Sequence, residues 1–156
     1  MTDIFSKDKR SDIMSKISNK NTKPEILVRK YLFANGFRFR INDKRFPGKP
    51  DILLPKYKTA IFVNGCFWHG HKNCKAAALP TSNADYWANK IASNIERDKK
   101  VQIQLEQMGY RVFIIWQCQL KAKEREYTLS NLAEKLIDKS YDISKQRLPL
   151  HSERVI

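Results

Sequence analysis

The stretch DILLPKYKTAIFVNG, residues 51–65, decides the architecture. Asp51 to Pro55 and Thr59 to Gly65 are short apolar runs rich in β-forming residues and bounded by breakers. They predict two strands joined through the turn around Pro55 to Lys58. Downstream, RVFIIWQC (111–118) reads as a further buried strand. Between them a long helix is expected from near Asn83 to Gly109, carrying Trp87, Ile91, Ile95, Val101 and Leu105 along one apolar stripe. Upstream, a helix from Thr22 to about Asn35 opens with Thr22 and Glu25 at capping-box spacing, has Ile26, Val28 and Leu32 in its apolar body, and ends at Gly36. Phe37, Phe39 and Ile41 alternate with Arg38 and Arg40, the period of a half-buried strand. A helix over TLSNLAEKLIDK (128–139) closes the pattern, residues 7–18 predict a short helix with Ile13, Met14 and Ile17 on one side, and the tail from Tyr141 has no clear pattern. This element order predicts a mixed α/β sandwich, helices flanking a central sheet.

Composition bounds the function. The 156 residues carry 30 Lys plus Arg against 16 Asp plus Glu, a net charge of +14, which points to a polyanionic partner, DNA or RNA first. At 42% apolar and 11% aromatic, with five glycines and six prolines, the chain is neither disordered nor of low complexity. Residues 1–50 hold 13 Lys and Arg against 5 acids, so the electrostatic footprint is expected in the first third. No repeat or linker divides the chain. One domain over residues 1–156 is expected, with residues 1–20 as a basic arm whose Lys9, Arg10, Lys16 and Lys20 contact phosphates. No apolar run is long enough to span a bilayer, and the first residues lack the apolar core of a secretion signal, so a reducing cytoplasm is the expected compartment.

The densest chemical cluster is Cys66-Phe67-Trp68-His69-Gly70-His71-Lys72-Asn73-Cys74. Thiolate and imidazole are the ligands tetrahedral zinc prefers. Cys118, at the end of the 111–118 strand, can return to this loop in space, so Cys66, His71, Cys74 and Cys118 form a Cys3His zinc set with His69 left over. The plainer alternative is three buried thiols and two surface histidines. A loop of about 15 residues without regular structure needs a staple, which favours zinc.

Pro50-Asp51 sets a carboxylate at the mouth of the strand pair, behind the basic loop Lys44-Arg45-Phe46-Pro47-Gly48-Lys49. This is similar to the restriction-endonuclease-like class, where a Pro-Asp in that place holds Mg2+ against the scissile phosphate and the next strand brings an acid and a lysine. Here that strand reads Ile61-Phe62-Val63-Asn64, with neither. Val63 can still offer its backbone carbonyl to Mg2+ beside Asp51. A base must come from elsewhere: an imidazole can deprotonate an attacking water, which makes His69 the candidate, and Asp98 could hold its other nitrogen and fix the tautomer.

Arg10-Ser11 through Met14, Thr22-Lys23-Pro24-Glu25, Phe46 to Asp51, Gly65-Cys66-Phe67-Trp68-His69, Tyr86-Trp87 and Glu96-Arg97-Asp98, in this order and spacing, resemble the very short patch repair (Vsr) DNA mismatch endonucleases over about residues 8–120. The resemblance implies a restriction-endonuclease-like three-layer sandwich and a Mg2+-dependent nick 5′ of the thymine in a T:G mismatch left by 5-methylcytosine deamination. It implies Asp51 as Mg2+ ligand, His69 as base, Asp98 as its partner, Glu25 close to the metal site, and Phe67, Trp68 and Trp87 as aromatics wedged into the duplex. It further implies double-stranded DNA as partner, a functional link to a DNA cytosine methyltransferase, mismatch-repair proteins such as MutL among the contacts, a bacterial nucleoid-associated location, and sufficiency of the monomer. One position departs: a member of the family carries histidine where this chain has Asn64, so a second imidazole's contribution is missing.

Plainer readings stand beside these. Tryptophans at helical spacing are usually core, Glu25 serves as a capping acid, and the basic arm is a solvated face. Two other functions fit the missing acid and lysine: a zinc-stabilised DNA-binding module without catalysis, or a restriction-type endonuclease of the same fold.

Overall fold

The computed structural model describes residues 22–138. Helix α1 (Lys23–Ala34) starts at Thr22, whose hydroxyl accepts the Glu25 N–H at 3.5 Å, and Pro24 occupies the first turn where no N–H partner is needed. Strands β1 (Arg40–Ile41), β2 (Ile52–Leu54) and β3 (Thr59–Asn64) follow, then helix α2 (Ala84–Gln107), strand β4 (Arg111–Trp116) and helix α3 (Arg125–Ile137). The four strands form one mixed sheet in the order β1-β2-β3-β4. β1 and β2 are antiparallel, as are β2 and β3, whereas β3 and β4 run parallel from Thr59↔Arg111 to Asn64↔Trp116. A parallel neighbour requires a crossover, and α2 supplies it.

The sheet is covered on both faces. Val28 and Leu32 of α1 and Leu129, Leu132 and Leu136 of α3 pack with Ile52, Leu54, Ile61, Phe113 and Ile115 in the main core. Alternate residues of the same strands, Leu53, Ala60 and Val112, pack with Leu105 and Val101 of α2 in a second core. Strand periodicity of two thus sends one set of side chains to each helical layer. Arg111 ties the far end together: its guanidinium donates to Thr59 Oγ1 at 3.1 Å and to the Lys135 and Leu136 carbonyls at 2.9 and 3.0 Å, capping the C-terminus of α3 with positive charge.

Three boundaries and the exposure of two isoleucines differ from the sequence-based expectation. The strand expected over residues 37–41 shrinks to Arg40–Ile41, because β2 lies between Pro50 and Pro55 and offers only three residues to pair with. Phe37 is buried as expected, against Tyr57, but Ile41 faces outward. The 111–118 strand stops at Trp116, where the Gln119 side chain accepts the Trp116 N–H at 3.0 Å and the chain turns into a short 3-10 segment, so Cys118 lies in that turn. Helix α3 begins at Arg125, three residues before the expected Thr128. Ile26, expected in the apolar body of α1, is exposed. The expected helix at residues 7–18, the arm with Lys9, Arg10, Lys16 and Lys20, and the tail from Tyr141 lie outside the described residues. Among the described residues no helix is long and apolar enough to cross a membrane.

Candidate active site and metal centre

The carboxyl ends of β3 and β4 lie side by side, and nearly every residue singled out by its chemistry gathers there. Asp51, at the start of β2, opens into a cleft of about 600 Å³ that Glu25, Val63, Asn64, His69 and Asp98 also line. Asp51 Oδ2 accepts the Val63 N–H at 2.7 Å. Its carboxyl is raised from 3.8 to about 6, chiefly by burial, with the Val63 N–H opposing the rise and the Glu25 charge adding to it. A half-buried acid held this way favours either a proton or a bound cation.

Opposite Asp51, His69 Nδ1 meets Asp98 Oδ2 at 2.6 Å. With Nδ1 as the donor, Nε2 is left as the basic nitrogen. One turn earlier on α2, the buried Asn94 donates from Nδ2 to the Trp68 carbonyl at 3.0 Å, and Arg97 Nη2 holds the amide by its oxygen at 3.2 Å. Residues 94 and 98 therefore grip consecutive residues of the loop, 68 and 69. Gly70 follows at φ +61°, and a Cβ there would lie 2.7 Å from Ile95 Cδ1 and 2.9 Å from Ile91 Cγ2. Only glycine lets the loop lie this close to α2.

Glu25 is 3% exposed and accepts from Arg29 Nη2 at 3.1 Å, so its carboxylate is committed to an ion pair at the edge of the cleft and does more than cap a helix. Asn64 is buried and lines the cleft.

Beyond the dyad, the loop folds back on itself, with the His71 N–H donating to the Cys66 carbonyl at 2.9 Å. Ligand atoms of Cys66, His71, Cys74 and Cys118 all lie within 4.8 Å of one another. A tetrahedron built on bonds of about 2.3 Å has edges of about 3.8 Å, so the cluster is of the right size and donor chemistry to hold a metal such as zinc. Burial pushes the Cys66 thiol up, and burial together with Cys66 and Cys74 pushes Cys118 up to about 12. Burial also acts to raise Cys74, but the Ala76 N–H and the other two cysteines draw it down; burial lowers His71. Three thiols crowded so closely cannot all ionise without a cation among them. His71 stacks on Trp116 at 4.1 Å with planes 7° apart, which orients the ring.

Phe67, Trp68 and Trp87 touch one another at centroid separations of 5.2 to 5.6 Å, and Tyr86 joins them at 5.2 Å from Trp87. Trp68 is 41% exposed and Tyr86 60%. These rings form a surface cluster, so Trp87 belongs to it rather than to the core stripe of α2. Tyr86 was not singled out from sequence as a wedge, although it adjoins Trp87. Lys44, Lys49 and Arg97, quoted from the sequence only within longer motifs, also line the cleft; Asn94 was not singled out and was detectable only as a polar residue at i−4 from Asp98 on the buried face.

Residues 2–76 match the family described as DNA mismatch endonuclease Vsr. The chain is 56% identical over 123 residues to the type II nicking enzyme V.NmeAIP of Neisseria meningitidis serogroup A, covering 79% of this chain and 87% of that one. It is 45% identical over 120 residues to the type II nicking enzyme V.XorIIP of Xanthomonas oryzae pv. oryzae, covering 77% and 88%. It is 36% identical over 125 residues to the DNA mismatch endonuclease Vsr of Escherichia coli K12, covering 80% of each chain.

Proposed function

The chain is a DNA endonuclease belonging to the Vsr mismatch-endonuclease family, and from that premise we propose that it makes a Mg2+-dependent nick 5′ of the thymine in a T:G mismatch. The mismatch is the product of 5-methylcytosine deamination. The observation that carries the reading is the convergence of Asp51 and the His69–Asp98 pair on one cleft.

Asp51 fits a cation ligand, since its Oδ2 is engaged by Val63 and its Oδ1 takes no hydrogen bond from the described residues. A strand residue turns its N–H and C=O to the same side, so Asp51 and the Val63 carbonyl are the oxygens that would hold the ion. Mg2+ bound there would supply Lewis-acid stabilisation of charge at the scissile phosphate. His69 Nε2 takes the proton of the attacking water, and Asp98 holds the ring in the tautomer that leaves Nε2 free and stabilises the imidazolium that forms. Glu25 keeps negative potential beside Asp51. Phe67, Trp68 and Trp87 enter the duplex at the mismatch, where opening a step costs least. Cys66, His71, Cys74 and Cys118 would hold zinc, which would fasten the loop that carries His69 and the wedge. Asn64 in place of an imidazole removes one titrating group from the cleft, which alters the pH profile relative to relatives that carry histidine there.

Helices on both faces of a mixed sheet, with an acid at the mouth of the β2–β3 hairpin, support a restriction-endonuclease-like sandwich. A single-strand nick needs one active site, so the enzyme works as a monomer, in a bacterial cytoplasm at the nucleoid. The basic arm (Lys9, Arg10, Lys16, Lys20) holds the backbone, and the biological contacts are a cytosine methyltransferase that creates the lesion and mismatch-repair proteins such as MutL. The test uses T:G and matched duplexes with and without Mg2+. A single break 5′ of the mismatched thymine, seen only with Mg2+, is expected. No cleavage would leave a binding module, and double-strand breaks in matched DNA a restriction-type enzyme.

A further inference from the structure

The cleft that holds Asp51 also holds a cation with no role so far, Lys49, two residues upstream. A phosphodiester entering here brings negative charge toward three carboxylates. Glu25 is engaged by Arg29 at 3.1 Å and Asp98 by His69 at 2.6 Å, and Arg97 spends one nitrogen on Asn94. Lys49 has no ion pair among the described residues.

Its backbone is as informative as its charge. Lys49 sits at φ +47°, in the left-handed region that a lysine side chain disfavours. Gly48 before it is at φ +73°, and a Cβ there would lie 2.4 Å from Val101 Cγ1 on α2. The Lys49 N–H donates to the Phe46 carbonyl at 3.2 Å, and the buried Pro50 follows. The turn is locked against α2 and carries a long cationic side chain in a conformation that glycine would adopt without strain. Strain retained beside a functional acid points to use of the side chain.

We propose that Lys49 is a catalytic residue whose ammonium contacts a non-bridging oxygen of the scissile phosphate, countering the charge that develops there during cleavage. It supplies from the Phe46–Asp51 turn the cation that β3 lacks. The proposal rests on the reading of this cleft as the phosphodiester-cleaving site.

The experiment measures single-turnover nicking of a T:G duplex at saturating enzyme for wild type, Lys49→Gly, Lys49→Ala and Lys49→Arg, alongside duplex affinity in Ca2+ and thermal unfolding. Lys49→Gly is expected to nick about 10²-fold more slowly, with affinity within about threefold. It should unfold no lower than wild type, because glycine relieves the strain. Lys49→Ala should be equally slow without that relief, and Lys49→Arg should restore most of the rate. Wild-type nicking by Lys49→Gly, or a loss fully accounted for by weaker binding, overturns the role of Lys49 alone. A wild-type enzyme that does not nick the T:G duplex in Mg2+ overturns the reading of the cleft as well.

Discussion

Replacing Asp51 by Asn should stabilise the metal-free protein while abolishing its cutting. Asparagine keeps an oxygen for the Val63 N–H but carries no charge. Burial lifts the Asp51 carboxyl from 3.8 to about 6, so keeping it ionised in the folded state at neutral pH costs about 3 kcal/mol. The folded chain takes up this proton below about pH 6 and the unfolded chain only below 3.8. Wild-type stability from this group therefore falls as pH rises through that window and is lowest above it. Allowing for the cost of burying an amide, Asp51→Asn should gain about 2 kcal/mol at pH 7.5, a rise in Tm of roughly 4–8 °C for a chain of this size. The advantage should narrow to roughly a third of that at pH 5. Thermal unfolding in Mg2+-free buffer measures it, and added Mg2+ should raise the Tm of wild type but not of the variant. A variant no more stable than wild type at pH 7.5, or equally stabilised by Mg2+, would refute the argument that Asp51 is a strained, cation-seeking carboxylate.

Three other expectations follow from the same geometry. His69→Ala should slow nicking by about 10²-fold or more and keep its zinc, whereas His71→Ala should lose the metal; equal metal loss in both would make His69 a ligand. The protein should carry about one zinc per chain, and Cys118→Ser should lose it together with several kcal/mol of stability; a zinc-free protein that remains folded and active would contradict the Cys3His set. Asp98→Asn should lower the nicking rate steeply while leaving duplex affinity nearly unchanged, because it removes the charge that stabilises the imidazolium and offers His69 Nδ1 an amide donor that favours the wrong tautomer; an unaltered rate would show that the 2.6 Å contact has no part in the chemistry.

The helices and the paired strands were legible because their signals are local. α2 keeps a 3.6-residue apolar period from Ile91 to Leu105, and the breakers around β2 and β3 stand in the chain itself. The Cys3His grouping was legible one step further on, since a parallel β3–β4 pair puts Cys66 and Cys118 beyond adjacent strand ends. Strand β1 was misjudged because its length is set by a neighbour: Phe37 and Phe39 alternate correctly, yet β2 ends after three residues. The roles of Asn94 and Lys49 and the stack of His71 on Trp116 were not legible, because each depends on how an irregular segment, the 66–74 loop or the 46–51 turn, is seated against the elements around it.

The β3–β4 pairing joins Thr59 to Arg111, 52 positions apart, and that distance governs how the molecule is made. During synthesis at about 5–20 residues per second, β3 is complete for roughly 3–10 s before its partner exists. Throughout that interval Ala60-Ile61-Phe62-Val63 presents an apolar edge with unpaired N–H and C=O groups, the template on which other chains aggregate. Lys56 and Lys58 stand immediately ahead of it, two charges that repel an incoming copy of the same segment. Removing them would leave the finished enzyme almost untouched and the yield of soluble chain sharply lower.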